Sequence, residues 1–177
     1  MKNNLFYFLA CFSIFILLKF IFPYLSIDSL QFLLAPTNKI ISFIINSPST
    51  YDIEAGYFYP YLNIVINKSC SGFNFFIICF LMYAFVLTKA SKIKRWYKLP
   101  FALILAYTTS IIANVSRIVG YLTIMNNQTS FFSLSKISWL HQSEGIVVYL
   151  TFLIIAYITS NYIITKTEIK HDEATQS

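Results

Sequence analysis

Four long apolar runs alternate with more polar segments along the 177 residues. They extend from about Leu5 to Phe22, from Gly72 to Leu87, from Leu99 to about Val119 and from Gly145 to Ile164. About 20 apolar residues in a helix are enough to cross a hydrocarbon core roughly 30 Å thick. The pattern predicts an all-α integral membrane protein built on a four-helix transmembrane bundle.

The composition agrees with a membrane protein and narrows the possible partners. Hydrophobic residues make up 57% of the chain and charged residues only 11%, with 18 Phe and 13 Tyr. A net charge of +6 could point to nucleic acid, but the basic residues cluster beside the apolar runs. Charge in that position sets membrane topology, so membrane lipid is the expected surrounding and no nucleic acid partner is expected.

The basic residues also predict the orientation of the spans. Five basic residues and no acidic one follow the second span: Lys89, Lys92, Lys94, Arg95 and Lys98. Such a loop is typical of the cytoplasmic side. Both termini are therefore expected to be cytoplasmic, with segments 23–70 and 120–144 outside.

A fifth apolar run, residues 30–45, allows two interpretations. It is short for a full crossing and carries Pro36 and Lys39 in its middle. Counting it as a span would also move the basic loop outside, so a helix lying in the outer interface is favoured. Four isoleucines of this helix are expected to face the lipid: Ile40, Ile41, Ile44 and Ile45.

The segment before the second span has a composition typical of a small β-hairpin. Residues 51–66 are rich in Tyr, Ile and Val and are interrupted by Gly56 and Pro60. Residues 62–66 are predicted to form a strand that pairs with a partner around Tyr57. The hairpin would lead directly into the helix of the second span.

The chain is expected to form one transmembrane domain over residues 1–170, followed by a polar cytoplasmic tail over 171–177. The first span resembles a secretory signal peptide, because Lys2 precedes the apolar run. It lacks an evident small-residue cleavage site before Pro23, which favours a retained anchor.

Cys70 is the first candidate for chemistry. Cys11 and Cys79 fall in mid-span, where cysteine acts as a small apolar residue, and no CxxC pair is present. Cys70 lies just before the second span, between Ser69 and Ser71, either of which can cap the helix that follows. Exposed amide groups and the positive end of a helix favour a thiolate there.

Arg117 is the second candidate, near the outer end of the third span. Ser110, Asn114, Arg117 and Tyr121 follow one another at spacings of four, three and four residues and so share one helical face. An ionisable group within a span normally faces a polar partner or cavity. The alternative, a side chain that snorkels to the headgroups, would leave this polar face in lipid.

His141 is the third candidate, beside Trp139 and just before the fourth span. Gly145 follows four residues later on the same face, where another helix could approach closely. Glu144 could orient the imidazole or complement the positive end of the helix. A lone interfacial histidine is more often structural, but its occurrence together with Cys70 and Arg117 favours catalysis.

The order and spacing of these motifs resemble the exosortase and archaeosortase family of membrane-embedded cysteine transpeptidases. The matching motifs are Ser69-Cys70-Ser71-Gly72, Asn114-Val115-Ser116-Arg117 and His141-Gln142-Ser143-Glu144-Gly145. The resemblance covers roughly residues 30–165. Many members have additional spans ahead of this core, and the short chain most resembles the compact exosortase K type.

The resemblance implies an enzyme of the bacterial cytoplasmic membrane whose active site lies at the outer face. Its substrate would be the C-terminal sorting signal of an exported protein, transferred to an unidentified envelope acceptor. Cys70 would form a thioester, Arg117 would stabilise the oxyanion, and His141 would act as acid and base. Supporting roles are expected for four residues: Ser71, Asn74, Asn114 and Glu144.

Two other classes of function remain open at this point. A non-enzymatic polytopic membrane protein, such as a small transporter subunit or assembly factor, would also carry polar faces on its helices. A thiol redox partner is disfavoured because no second outer cysteine is present. No cofactor or metal is expected, since the chain has no glycine-rich phosphate loop and its two histidines fall on opposite sides of the predicted membrane.

Overall fold

The computed structural model describes the backbone of residues 2–91, 93–127 and 134–176, and the side chains of residues 4–91, 93–124, 145–167 and 169. Most of these residues are helical, and one small sheet lies between the second and third α-helices along the chain. The α-helices are α1 (Lys2–Ile21), α2 (Gln31–Ile45), α3 (Phe73–Thr88), α4 (Arg95–Asn127) and α5 (Leu134–Gln176). The strands are β1 (Thr50–Asp52), β2 (Gly56–Tyr59) and β3 (Ile64–Ile66).

Four stretches of the described chain are long and apolar enough to cross a membrane: Asn4–Tyr24, Lys68–Thr88, Arg95–Ile124 and Gly145–Thr167. They coincide with the four predicted spans, so the prediction of a helical membrane protein with four spanning helices is confirmed. Helices α4 and α5 continue beyond their apolar runs to 33 and 43 residues.

The predicted helix over residues 30–45 is present as α2, whose 15 residues are not among these four stretches. Ile40 and Ile44 are exposed, as expected for residues that face lipid. The expectation for Ile41 was wrong, because its side chain is 0% exposed. Ile41 lies on the same helical face as the buried Leu34 and Asn38, at spacings of seven and three residues, and that face packs inward.

The predicted hairpin is present and has one additional strand. The sheet is antiparallel in the order β1-β2-β3, with Tyr57 opposite Ile66 in the register of β2 and β3. In the turn between β1 and β2, the backbone amides of Ala55 and Glu54 donate to Asp52 and lower the pKa of its carboxyl. The additional strand, β1, was not predicted because its three residues are all exposed and show no alternation of apolar and polar positions.

A buried tyrosine joins the sheet to α2. The Tyr59 hydroxyl lies 2.6 Å from Asn38 Oδ1 and 2.8 Å from Ser42 Oγ, and its side chain is 0% exposed. Asn38 Nδ2 also donates to Ser49 Oγ at 2.9 Å. Because buried polar groups are costly without partners, this network fixes α2 on the sheet that leads to Cys70.

The chain divides into two compact units, one made of residues 1–24, 74–109 and 153–177 and the other of residues 25–73 and 110–152. In the first unit, Asn4 near the start of α1 donates to the carbonyl of Thr88 at the end of α3. At the opposite end of α1, Lys19 Nζ donates to Asn74 Oδ1 in the first turn of α3. Helices α1 and α3 are therefore antiparallel, as their predicted alternate crossing requires.

Candidate active site

Cys70 ends a short 3₁₀ turn, Lys68–Cys70, that is capped by Asn67. The Asn67 side chain accepts hydrogen bonds from the backbone amide and the hydroxyl of Ser69, and the Cys70 amide donates to the Asn67 carbonyl at 2.9 Å. The Cys70 thiol is free and half-buried, with Ser69 Oγ 3.9 Å from its sulfur. The turn therefore presents an accessible thiol on a well-bonded backbone.

Gly72 separates this turn from α3. Its φ of +71° lies in the left-handed region that favours glycine, and the Ser71 hydroxyl accepts from the Phe73 amide at 3.3 Å. Of the two serines that the sequence offered as caps, Ser71 is therefore the one that caps the start of α3. A side chain at Gly72 would also lie 3.2 Å from the Asn114 side chain, so the glycine permits close approach of α4.

Two buried polar residues of α4 bind the backbone around the thiol. Asn114, which is 1% exposed, donates from Nδ2 to the Cys70 carbonyl oxygen at 2.7 Å. One turn earlier on the helix, Ser110 is fully buried and its hydroxyl donates to the Gly72 carbonyl at 3.3 Å. The polar face predicted for α4 therefore packs against the Cys70 segment.

Tyr149 of α5 connects the same asparagine to Arg117. Its hydroxyl donates to Asn114 Oδ1 at 2.8 Å and accepts from an Arg117 terminal nitrogen at 3.2 Å. The Arg117 guanidinium also lies over the Tyr149 ring, 5.4 Å from its centroid. A continuous chain of hydrogen bonds thus runs from Arg117 through Tyr149 and Asn114 to the backbone of Cys70.

Gly145 allows α5 to come close to Arg117. It is buried, and a side-chain carbon at this position would lie 2.9 Å from Arg117 Nε. The neighbour at Gly145 is the Arg117 side chain, whereas the sequence predicted the close approach of a helix there. Because Arg117 contacts both Gly145 and Tyr149, its side chain packs against α5, and the snorkelling alternative is disfavoured.

Three predicted site residues remain, and the structure describes the side chain of one of them. Asn74 lies in the first unit, is exposed, and accepts the hydrogen bond from Lys19. His141 and Glu144 lie within the bounds of α5, and their side chains are outside the described residues. Their roles stay predictions.

Tyr149 is the residue that sequence reasoning missed. A signal for it existed, since His141, Gly145 and Tyr149 follow one another at spacings of four residues and share a face of α5. With 13 tyrosines in the chain, one tyrosine in a span did not stand out as polar. Its partners lie 32 and 35 positions earlier, and such contacts cannot be read from helical periodicity.

This cluster contains a nucleophile and a cation that are linked through one hydrogen-bonded network. A half-buried thiol stands on a turn whose carbonyl is fixed by Asn114, and the same network holds a guanidinium. A thiolate can attack a carbonyl carbon, and a guanidinium can stabilise the oxyanion that forms.

Comparison with known protein families identifies the family of this chain. The family model described as transmembrane exosortase matches residues 5–158, which include Cys70, Arg117 and His141. No curated protein and no solved structure matches the chain.

Proposed function

We propose that this chain, which belongs to the transmembrane exosortase family, cleaves the C-terminal sorting signal of exported proteins through a thioester on Cys70. Membership supports a membrane-embedded transpeptidase or protease whose substrates are proteins with sorting signals. The thioester, the residues that form it and the acceptor are our proposal. The matched range does not distinguish the K type, which stays a prediction.

The observation that carries this proposal is the hydrogen-bonded chain from Arg117 to the Cys70 backbone. Thiol catalysis of acyl transfer needs a nucleophile and an oxyanion stabiliser held in fixed relation. Residues 47 positions apart in sequence, on two different helical segments, are joined here through two intermediates. Such a connection supports a shared site better than two independent structural roles.

In the proposed reaction the Cys70 thiolate attacks the scissile carbonyl carbon and forms a carbon–sulfur bond. The carbonyl oxygen takes up the electron pair and becomes an oxyanion. When the oxyanion collapses, the peptide carbon–nitrogen bond breaks and leaves a thioester on Cys70. His141 accepts the thiol proton and returns it to the leaving amine, which departs with the transmembrane part of the sorting signal.

Arg117 would stabilise the oxyanion with its positive charge and its hydrogen-bond donors. Removing a single donor from comparable oxyanion sites costs about 2.7–4 kcal/mol of transition-state stabilisation. The thioester is then attacked by water or by an amine of an envelope acceptor, which releases the Cys70 sulfur. The first route is hydrolysis and the second is transfer.

The proposed location is the bacterial cytoplasmic membrane, with both termini in the cytoplasm. The basic loop that follows α3 favours the inner side for the end of that helix, and this supports an outer position for Cys70 at its other end. A sorting signal with a transmembrane helix and a basic cytoplasmic end would present its scissile bond at that level.

The proposal is tested by expressing Cys70→Ala and Cys70→Ser beside a tagged candidate substrate and following its processing by gel shift. We expect both variants to abolish processing, and the matched control Cys79→Ala to retain it, since Cys79 is a fully buried residue of the α3 interior. Unchanged processing in both Cys70 variants would overturn the nucleophile assignment. That result would instead favour a non-enzymatic membrane protein.

A further inference from the structure

We infer that Tyr149 is a positioning residue of the active site, whose hydroxyl holds Arg117 and the Cys70 backbone in fixed relation. The inference rests on the proposed function and adds to it a residue outside the predicted site. The three hydrogen bonds from Arg117 to Tyr149, from Tyr149 to Asn114 and from Asn114 to Cys70 carry it.

The direction of each hydrogen bond in the network follows from the chemistry of the groups. A guanidinium can only donate, so Tyr149 must accept the hydrogen bond from Arg117. The single proton of the Tyr149 hydroxyl is therefore directed to Asn114 Oδ1, 2.8 Å away. The hydroxyl acts as acceptor and donor at once, and no apolar side chain could replace it.

The Tyr149 proton also determines the orientation of the Asn114 amide. With Oδ1 facing Tyr149, Nδ2 faces the Cys70 carbonyl and donates to it at 2.7 Å. A flipped amide would direct Oδ1 at that carbonyl oxygen and bring two acceptors together. Tyr149 thus favours the one amide orientation that fixes the turn carrying the thiol.

Burial strengthens the effect of this arrangement. Asn114 is 1% exposed, and water is therefore a poor substitute for either of its partners. The stiff ring of Tyr149 lies under the Arg117 guanidinium and holds it from a second direction. A displacement of about 1 Å in a catalytic group can lower a rate by roughly 100-fold.

Tyr149→Phe isolates the contribution of the hydroxyl, because it keeps the ring under Arg117 and removes both hydrogen bonds. We expect the purified full chain with this substitution to process a tagged sorting-signal substrate roughly 10- to 100-fold more slowly in a single turnover. KM should change little, since the hydroxyl is directed at Asn114 and Arg117. The matched control is Tyr157→Phe, two turns further along α5, whose side chain is 38% exposed and which should leave the rate unchanged.

A double-mutant cycle with Asn114→Ala separates positioning from general loosening of the fold. If Tyr149 acts through Asn114, adding Tyr149→Phe to Asn114→Ala should slow the reaction much less than it slows the wild type. Fully additive losses in rate, or a wild-type rate in Tyr149→Phe, would overturn the inference.

Two further measurements keep the outcomes distinguishable. If Cys70→Ala still processes the substrate, the proposed function is wrong, whatever the rate of Tyr149→Phe. If Cys70→Ala is inactive and Tyr149→Phe is fully active, only the inference about Tyr149 is wrong. Should Tyr149→Phe not fold, 3,5-difluorotyrosine at position 149 keeps the ring and carries a more acidic hydroxyl, which can no longer donate to Asn114 Oδ1 once it is ionised. Slower processing by the fluorinated protein would support the inference, and an unchanged rate would overturn it.

Discussion

The carbonyl oxygen of Cys70 and the side-chain amide of Asn114 are joined by a 2.7 Å hydrogen bond across 44 positions of sequence. This bond ties the turn that presents the thiol to the helix that carries Arg117. Since the asparagine is buried and its other end binds Tyr149, the bond also makes the thiol segment sensitive to changes on α5.

Asn114→Ala removes both of these hydrogen bonds and leaves the part-buried Cys70 carbonyl without this donor. We expect a loss of about 1–3 kcal/mol in the free energy of unfolding and slower substrate processing. Thermal denaturation of the detergent-purified protein and a single-turnover assay measure the two effects. Ser116→Ala is the control on the same helix, because its hydroxyl donates to the carbonyl of Ile112 one turn earlier in α4 itself. A wild-type melting temperature in Asn114→Ala would contradict the assigned bond.

Gly145→Ala should separate activity from stability. The added methyl group would lie 2.9 Å from Arg117 Nε and force the guanidinium to move. Alanine also raises helix propensity by about 1 kcal/mol over glycine, so stability should be preserved while processing falls at least roughly tenfold. Val147→Ala, at a position 63% exposed on the same helix, is the control for both measurements. Full activity in Gly145→Ala would show that Arg117 tolerates displacement.

The proposed role of His141 as acid and base can be tested against the other histidine of the chain, His171, as a control. His141→Ala should slow processing by roughly 10²- to 10⁴-fold, the usual contribution of a positioned proton donor and acceptor. His171→Ala, in the polar tail, should leave the rate at the wild-type level. The same single-turnover assay compares them, and equal rates in the two variants would exclude His141 from the mechanism.

Tyr59→Phe tests the network that fixes α2 on the sheet. It removes a hydroxyl that binds Asn38 and Ser42 in a fully buried position, and we expect it to cost about 1–3 kcal/mol of folding free energy. The control Tyr51→Phe alters a tyrosine that is 42% exposed and should change stability by less than about 0.5 kcal/mol. Equal melting temperatures for the two variants would contradict a stabilising role for this network.

The spans and the polar face of α4 could be predicted because both depend on periodicity. Ser110, Asn114 and Arg117 fall on one face of any α-helix, and a polar face in an apolar span must find partners. The same reasoning misplaced Ile41, because apolar side chains on either face of an interfacial helix look alike in sequence. Whether such a residue meets lipid or protein depends on tertiary packing.

The partners of the predicted residues could not be read from sequence. Asn114 was expected to have a supporting role. Its two hydrogen bonds, one to Cys70 and one to Tyr149, depend on how three chain segments meet. Gly72 likewise gave no sign of its positive φ or of its contact with Asn114. These features are set by packing between segments distant in sequence, for which local pattern carries no signal.

Capture of the acyl-enzyme tests the central claim most directly. The purified chain would be mixed with a tagged sorting-signal substrate, quenched in acid and digested, and the Cys70 peptide weighed by mass spectrometry. The account predicts a substrate-derived acyl group on the Cys70 sulfur that neutral hydroxylamine releases and that Cys70→Ala abolishes. Cleavage that proceeds at the wild-type rate in Cys70→Ala, or an acyl group on a different residue, would contradict it.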